Sequence, residues 1–206
     1  MNRYYPLFLD LSGKSALVIG AGAIAEQKIG SLMDCGAKIT VVAPETGAAI
    51  KTLARKGGVR LRQRRFRASD LKSQDIVFCA TDDKALSRAV SAACRQRKIP
   101  VNVADQPELC TFIVPAIVRR GEVVFAVSTG GASPALAKFL RKKVESLFGK
   151  ETAVLAEVLR SFRRKILALP LPKRRKVLGT ILNDGTLQAA KKGALPLKRK
   201  LEKVFK

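Results

Sequence analysis

The chain has 206 residues, 47% of them hydrophobic, with 40 Lys and Arg against 16 Asp and Glu and no histidine, for a formal net charge of +24. The missing histidine excludes Ser–His and Cys–His catalytic pairs and every His-ligated metal site, leaving acid–base chemistry to carboxylates, lysine, tyrosine or a cofactor. No apolar run reaches the roughly 20 residues that span a bilayer, and Met1-Asn2-Arg3-Tyr4-Tyr5-Pro6 lacks a signal peptide's apolar centre, so a cytoplasmic protein with no membrane contact is expected.

The first predicted element is an apolar strand from Lys14 to Ile19 that runs into the turn Gly20-Ala21-Gly22 and then a helix beginning Ala23-Ile24-Ala25. This GxGxxA spacing is that of a dinucleotide-binding turn. Gly20 makes the tight bend, Gly22 admits a pyrophosphate to backbone N–H groups, and Ala25 lets the helix pack closely on the strand. The positive helix end at Ala23 and Ile24 then faces the phosphates. Taken alone, such a turn also joins strands to helices for structural reasons. The helix ends near Gly36 and a second apolar strand, Lys38–Val42, completes the βαβ unit that the motif requires. At the tip of that strand, Ala43-Pro44-Glu45 is where an adenosine ribose would lie, and the acid Glu45 favours NAD over NADP. The alternative is that Pro44 turns Glu45 outward as a solvated loop acid.

Further along, a helix is expected over Ala48–Lys56 and a strand over Val59–Phe66, whose alternating arginines also suit an exposed sheet edge. A short buried strand, Asp75–Ala80, leads through Thr81-Asp82-Asp83 into a helix from Lys84 to about Arg97, and Pro100–Ala104 reads as the next strand. Strands alternating with helices in this way make a doubly wound parallel sheet, which binds ligands at strand C-terminal ends. Thr81, Asp82 and the loop from Asn102 to Asp105 are therefore candidate site residues. Cys35, Cys79, Cys94 and Cys110 show no CxxC spacing and read as buried free thiols.

From Phe112 the pattern changes to two β segments around Arg120-Gly121, then Ser128-Thr129-Gly130-Gly131-Ala132-Ser133-Pro134 leading into a helix over Ala135–Leu147 with Ser133 as N-cap. More helices follow Gly149, broken at Pro170-Leu171-Pro172 and near Asn183-Asp184-Gly185. From Arg160 onward there are 15 Lys and Arg against Asp184 and Glu202. Such a tail reads as a solvated helical surface or as an attractor of anions.

Several stretches together resemble the precorrin-2 dehydrogenase domain of siroheme synthases, a family that includes bifunctional dehydrogenase–ferrochelatases. They are Tyr5-Pro6-Leu7-Phe8-Leu9, Gly20-Ala21-Gly22 with Ala25-Glu26-Gln27-Lys28, Val41–Glu45, Ala80–Asp83, Val101–Asp105, Phe112–Pro115 and Ala126–Pro134. The resemblance covers about the first 150 residues. It implies oxidation of precorrin-2, a polycarboxylated tetrapyrrole, to sirohydrochlorin with NAD, and insertion of ferrous iron as a second activity. It also implies that Asp105 is the acid–base residue and guides metal or pyrrole protons in chelation, with no separate metal-ligand cluster. Asn102, Ser128, Thr129, Gly130 and Ser133 would bind substrate. The position at which some family members carry a phosphorylated serine is Thr129 here, with Ser128 beside it. The plain alternatives are that Asp105 only starts the Gln106-Pro107 turn and that the Ser128 loop only shapes the helix start.

The architecture expected is α/β, a Rossmann-like domain over 1–111, a small α+β segment over 112–150 and a basic helical domain over 151–206; the resemblance implies that the middle segment is a dimerisation segment and that the protein assembles as an intertwined homodimer. A rival reading, a nucleic-acid-associated redox sensor built on a dinucleotide fold, takes the charge as a phosphate footprint, but the tail lacks interleaved aromatics and a helix-turn-helix pattern.

Overall fold

In the strand Ser15–Ile19 (β1), alternate residues are buried on opposite sides: Ala16 and Val18 join one apolar cluster, Leu17 and Ile19 another. A strand covered on both faces belongs in a parallel sheet between helical layers. The computed structural model describes residues 4–205 and has that arrangement. Lys38–Val42 (β2), Arg60–Arg62 (β3), Ile76–Cys79 (β4) and Val101–Val103 (β5) pair in parallel with β1 in the order β3-β2-β1-β4-β5. The helices Ala23–Asp34 (α1) and Ala48–Arg55 (α2) cover one face through Ala25, Ile29, Leu32 and Ile50. Lys84–Gln96 (α3) covers the other through Val90 and Cys94. Strand order reverses between β1 and β4, which makes the ends of those two strands the topological switch point.

The chain divides into two compact units between Val114 and Pro115. Phe112 stays with the first, its ring packed edge-on against Phe78 at 5.5 Å. In the second unit, Ala116–Arg120 (β6) and Val123–Val127 (β7) form an antiparallel hairpin, followed by Pro134–Leu147 (α4). The Arg120 guanidinium donates to the carbonyls of Phe148 at 2.8 Å and Glu145 at 3.2 Å, and Phe125 stacks on Phe148 at 4.7 Å, so the hairpin is fastened to the end of α4. Four more helices, Glu151–Leu167 (α5), Leu171–Ile181 (α6), Asp184–Lys191 (α7) and Ala194–Glu202 (α8), enclose a core that includes Val158, Phe162, Ile166, Val177, Ile181, Leu197 and Leu201.

Three expectations are revised. The strand predicted over Val59–Phe66 is only Arg60–Arg62, because Arg62 and Arg64 bend away to share the buried carboxylate of Asp70. Phe112–Pro115 is not a strand, and a further helix break at Lys192-Gly193 separates α7 from α8. Met1-Asn2-Arg3 of the expected first domain and Lys206 of the basic tail lie outside the described residues. Among the described residues no helix is long and apolar enough to cross a membrane. None of the four cysteines is in a disulfide, and Cys79, Cys94 and Cys110 are buried. Burial raises the Cys79 thiol pKa and pushes that of Cys94 up to about 11, so both behave as apolar core groups rather than nucleophiles.

Candidate functional site

The turn after β1 is shaped by two glycines used differently. Gly20 has φ +104°, and a Cβ there would collide with the Ala80 carbonyl oxygen at the end of β4, so only glycine lets the turn press against that strand. Gly22, the N-cap of α1, has an extended backbone that any residue could adopt. Its place faces open space, since a Cβ would meet nothing within 4 Å, and no side chain caps the helix. The first α1 hydrogen bond runs from the Glu26 N–H to Gly22, leaving the N–H groups of Ala23, Ile24 and Ala25 without intrahelical partners. Ala23 and Ile24 are exposed around this opening, while Ala25 is fully buried against the sheet.

At the tip of β2, Ala43 is buried and Pro44 and Glu45 are exposed. The next residue, Thr46, has a buried hydroxyl with no hydrogen-bond partner in the chain. An orphaned buried hydroxyl is costly unless something else satisfies it. Of the arginines nearby in sequence on β3 and after it, Arg62 and Arg64 are committed elsewhere. Asp70, 1% exposed, accepts from Arg62 at 2.6 Å, from Arg64 at 2.6 and 2.8 Å, and from the Arg67 N–H at 2.9 Å. Arg64 above all holds the Asp70 carboxyl well below the usual carboxylate range.

Beyond β4, Thr81 accepts from the Asp83 N–H at 3.3 Å and Asp83 caps α3 by accepting from Leu86 at 2.9 Å, while Asp82 is exposed. Strand alternation places Asn102 on the α1 side of β5, because Val101 and Val103 both point into the α3 cluster. Its amide nitrogen donates to the Phe112 carbonyl at 3.1 Å.

Asp105, two residues past β5, is exposed at φ +58°, a left-handed conformation that aspartate tolerates and most residues do not. The turn is held from below by Cys110. Its buried sulfur accepts from the Val103 N–H at 3.1 Å and donates to the Val103 carbonyl, at 3.2 Å, and the Gln106 carbonyl, at 3.4 Å. These two residues flank Asp105, so the thiol fixes the turn that presents the carboxylate. Neighbouring strands are about 4.8 Å apart, which puts the end of β5 roughly 10 Å from the end of β1, with β4 between them. The glycine turn and Asp105 thus share one edge of one sheet.

In the second unit, Ser133 caps α4 by accepting from the Leu136 N–H at 3.2 Å. The Thr129 hydroxyl accepts from the Ser133 N–H and donates to the Ser133 carbonyl, both at 3.1 Å. Ser128 accepts from the Gly130 N–H at 3.1 Å and is exposed. Among the described residues no group of three or more His, Cys, Asp or Glu is placed to hold a metal ion.

The first unit fits a dinucleotide: an uncapped helix start, clear space over Gly22 and an orphaned hydroxyl at the β2 tip each lack what a bound pyrophosphate and ribose supply. The sequence model of the family described as "Putative NAD(P)-binding" matches residues 7–116, more than half of the chain. The chain belongs to this NAD(P)-binding family. The model described as "Sirohaem biosynthesis protein central" matches residues 126–147, the stretch holding the Ser128 loop and α4.

Among curated relatives, the siroheme synthase of Methylococcus capsulatus is 43% identical over 84% of this chain and 37% of its own length. That of Pseudomonas entomophila is 46% identical over 81% of this chain and 36% of its own length. The chain thus spans little more than a third of those relatives. A solved structure titled SirC, precorrin-2 dehydrogenase is similar over 98% of both chains, with a TM-score of 0.76 and 29% identity. This family member therefore shares its whole fold, hairpin and helical unit included, with that structure.

Sequence reasoning named the glycines, the β2 tip and Asp105, and missed the buried, unpartnered hydroxyl of Thr46 and the hydrogen bonds of Cys110 beneath the Asp105 turn. A threonine after a strand tip carries no signal until its hydroxyl is seen buried and alone. Cys110 read as a buried thiol, and Lys28 entered only as the last residue of the stretch Ala25-Glu26-Gln27-Lys28.

Proposed function

We propose that the protein oxidises precorrin-2 to sirohydrochlorin with NAD, and that the same site then inserts ferrous iron to give siroheme. The observation that carries the reading is the shared sheet edge: an open, uncapped glycine turn and, roughly 10 Å along the edge, an exposed carboxylate held in a left-handed turn. Gly20, Gly22, Ala23 and Ile24 hold the pyrophosphate, Ala43, Pro44 and Glu45 the adenosine ribose, and Thr81 and Asp82 line the path towards the nicotinamide. When bound, the nicotinamide accepts the hydride that leaves the tetrapyrrole.

Asp105 takes the proton released from the same ring system, so that substrate and oxidised cofactor become product, reduced cofactor and one proton. In the iron step Asp105 takes pyrrole protons as the metal enters. Of the substrate-site residues Ser128, Thr129, Gly130, Ser133 and Asn102, the exposed Ser128 and Gly130 meet substrate carboxylates and the others support them. Thr129, Ser133 and the Asn102 amide act mainly by holding backbone, since their hydrogen bonds are made within the chain, whereas Ser128 is exposed. NAD rather than NADP is favoured by the exposed Glu45 and by arginines locked on Asp70, which leave no free guanidinium of that pair for a 2′-phosphate. The working form is a cytoplasmic homodimer, supported by the exposed apolar side chains Leu136, Phe139, Leu140 and Leu147 on α4.

The test is incubation with precorrin-2 and NAD or NADP, followed by ferrous or cobaltous ion, with absorbance read throughout. Reduction of NAD in preference to NADP, then metal-dependent loss of the sirohydrochlorin spectrum, is expected; no reduction of either cofactor would end the reading. Asp105→Ala should leave NAD binding intact and lower chelation by about 10² to 10⁴. A similar drop in dehydrogenation assigns Asp105 both steps, and a smaller one assigns hydride transfer chiefly to positioning.

A further inference from the structure

The sheet-facing stripe of α1 contains one charged residue. Ala25, Ile29 and Leu32 bury this side of the helix, and Lys28, three residues after Ala25 and four before Leu32, shares it. A lysine can lay its stem along apolar surface and send its ammonium to water. Here the side chain is half-buried and burial holds its pKa below the ordinary lysine value, while the acidic groups acting on it are the Cys110 thiol and the Asp105 carboxylate. The side of α1 that carries Lys28 covers the same face of the sheet as Asn102 of β5, two residues before the turn that presents Asp105. Among the described residues no carboxylate lies within ion-pair distance of it. A partly desolvated cation with no carboxylate in ion-pair contact leaves a place for an anionic group.

We propose that Lys28 binds a carboxylate of the tetrapyrrole and so sets the macrocycle against Asp105. The proposal rests on the reading of the substrate as a polycarboxylated tetrapyrrole. The lysine lies in the second turn of the helix whose first turn faces the dinucleotide, so one helix addresses both ligands. Its flexible point charge suits a propionate or acetate arm.

The experiment compares wild type with Lys28→Met, which keeps an unbranched apolar stem, and Lys28→Arg, which keeps the charge. Binding of uroporphyrin, a stable octacarboxylate, is followed by fluorescence, and NAD binding by calorimetry. Losing one charge-assisted contact should weaken uroporphyrin binding about 10- to 100-fold in Lys28→Met, with NAD affinity and melting temperature unchanged. Lys28→Arg should restore binding to within a few-fold. With precorrin-2, KM should rise by a similar factor while kcat changes little. Unchanged uroporphyrin affinity in Lys28→Met overturns the proposal, as does an equal loss of NAD affinity, which would mean that the variant merely disturbs α1. If wild type binds uroporphyrin through Lys28 yet does not oxidise precorrin-2, the dehydrogenase reading fails while the carboxylate site stands.

Discussion

The two units bury their apolar residues to different degrees. In the first, every residue of β4 and four of the five in β1 are buried, and both faces of the sheet are covered by the chain's own helices. In the second, α4 has no buried residue, and Leu147 and Phe139 are 73% and 54% exposed. The first unit is a finished core that carries a site at its edge. The α4 face of the second is an exposed apolar surface, which the proposed homodimer would cover. NAD binding at the sheet edge should thus respond to changes in the first unit, and assembly to changes on α4.

The largest expected effect tests how far the first unit's stability rests on one polar cluster. Asp70→Asn removes the charge that holds Arg62 and Arg64, and should cost about 3 kcal/mol, near the low end for a broken buried pair because both arginines are one-third exposed. The folded carboxyl titrates well below its unfolded value, so its contribution is complete above the unfolded value near pH 4, begins to fade as pH drops below it and is lost only below the folded value. Urea unfolding should show the full difference between variant and wild type at pH 7 and a shrinking one below pH 4. An equal difference at pH 3 would contradict the ion-pair account.

Next comes Gly22→Asp, which places a carboxylate in open space without a clash, so the fold should survive. NAD affinity should fall at least about 100-fold by calorimetry, because the anion occupies the pyrophosphate's place at the helix end. The same substitution should leave the oligomeric state untouched. Phe139→Lys reverses that pattern: sedimentation velocity should report a shift from dimer to monomer, with NAD affinity within about twofold of wild type. A protein that stays dimeric would move the interface away from this face of α4.

Much of this division could be read from the residues, and the exceptions have physical causes. Apolar strands, the GxGxxA turn and the caps Asp83 and Ser133 are local signals, and β1, β2, α3 and α4 fall within a residue or two of expectation. β3 was overestimated because alternation from Val59 to Phe66 says nothing of Asp70, whose pull on Arg62 and Arg64 ends the strand. The site was legible where backbone demands a residue type, as at Gly20, and illegible where only tertiary neighbours define a role. Nothing in the spacing of Lys28 or Cys110 points to the Asp105 turn, and nothing around Thr46 shows that its hydroxyl is left alone.

The smallest effect concerns the charge of the second unit, and it separates solvated cations from a cation at work. Lys191, Lys192, Lys198, Arg199, Lys200 and Lys203 are exposed, whereas the core of these helices is carried by Val158, Phe162, Ile181, Leu197 and Leu201. Replacing the six by glutamine preserves helix propensity almost unchanged. It removes the favourable interaction of Arg199 and Lys200 with the C-terminal end of α8 and, against that, relieves repulsion among like charges. The two effects are each about 0.3–1 kcal/mol and opposed, so melting should shift by no more than a few degrees. Precorrin-2 KM at 0.15 M salt should stay within about twofold, since charges more than about 8 Å from the substrate are screened there, and should rise only at low salt, where steering operates. Lys28→Met, one charge against six, is expected to do more at 0.15 M salt than all of them. If the sixfold variant instead loses tenfold or more in KM at that salt, the basic tail belongs to the substrate site and the contrast between the two units fails.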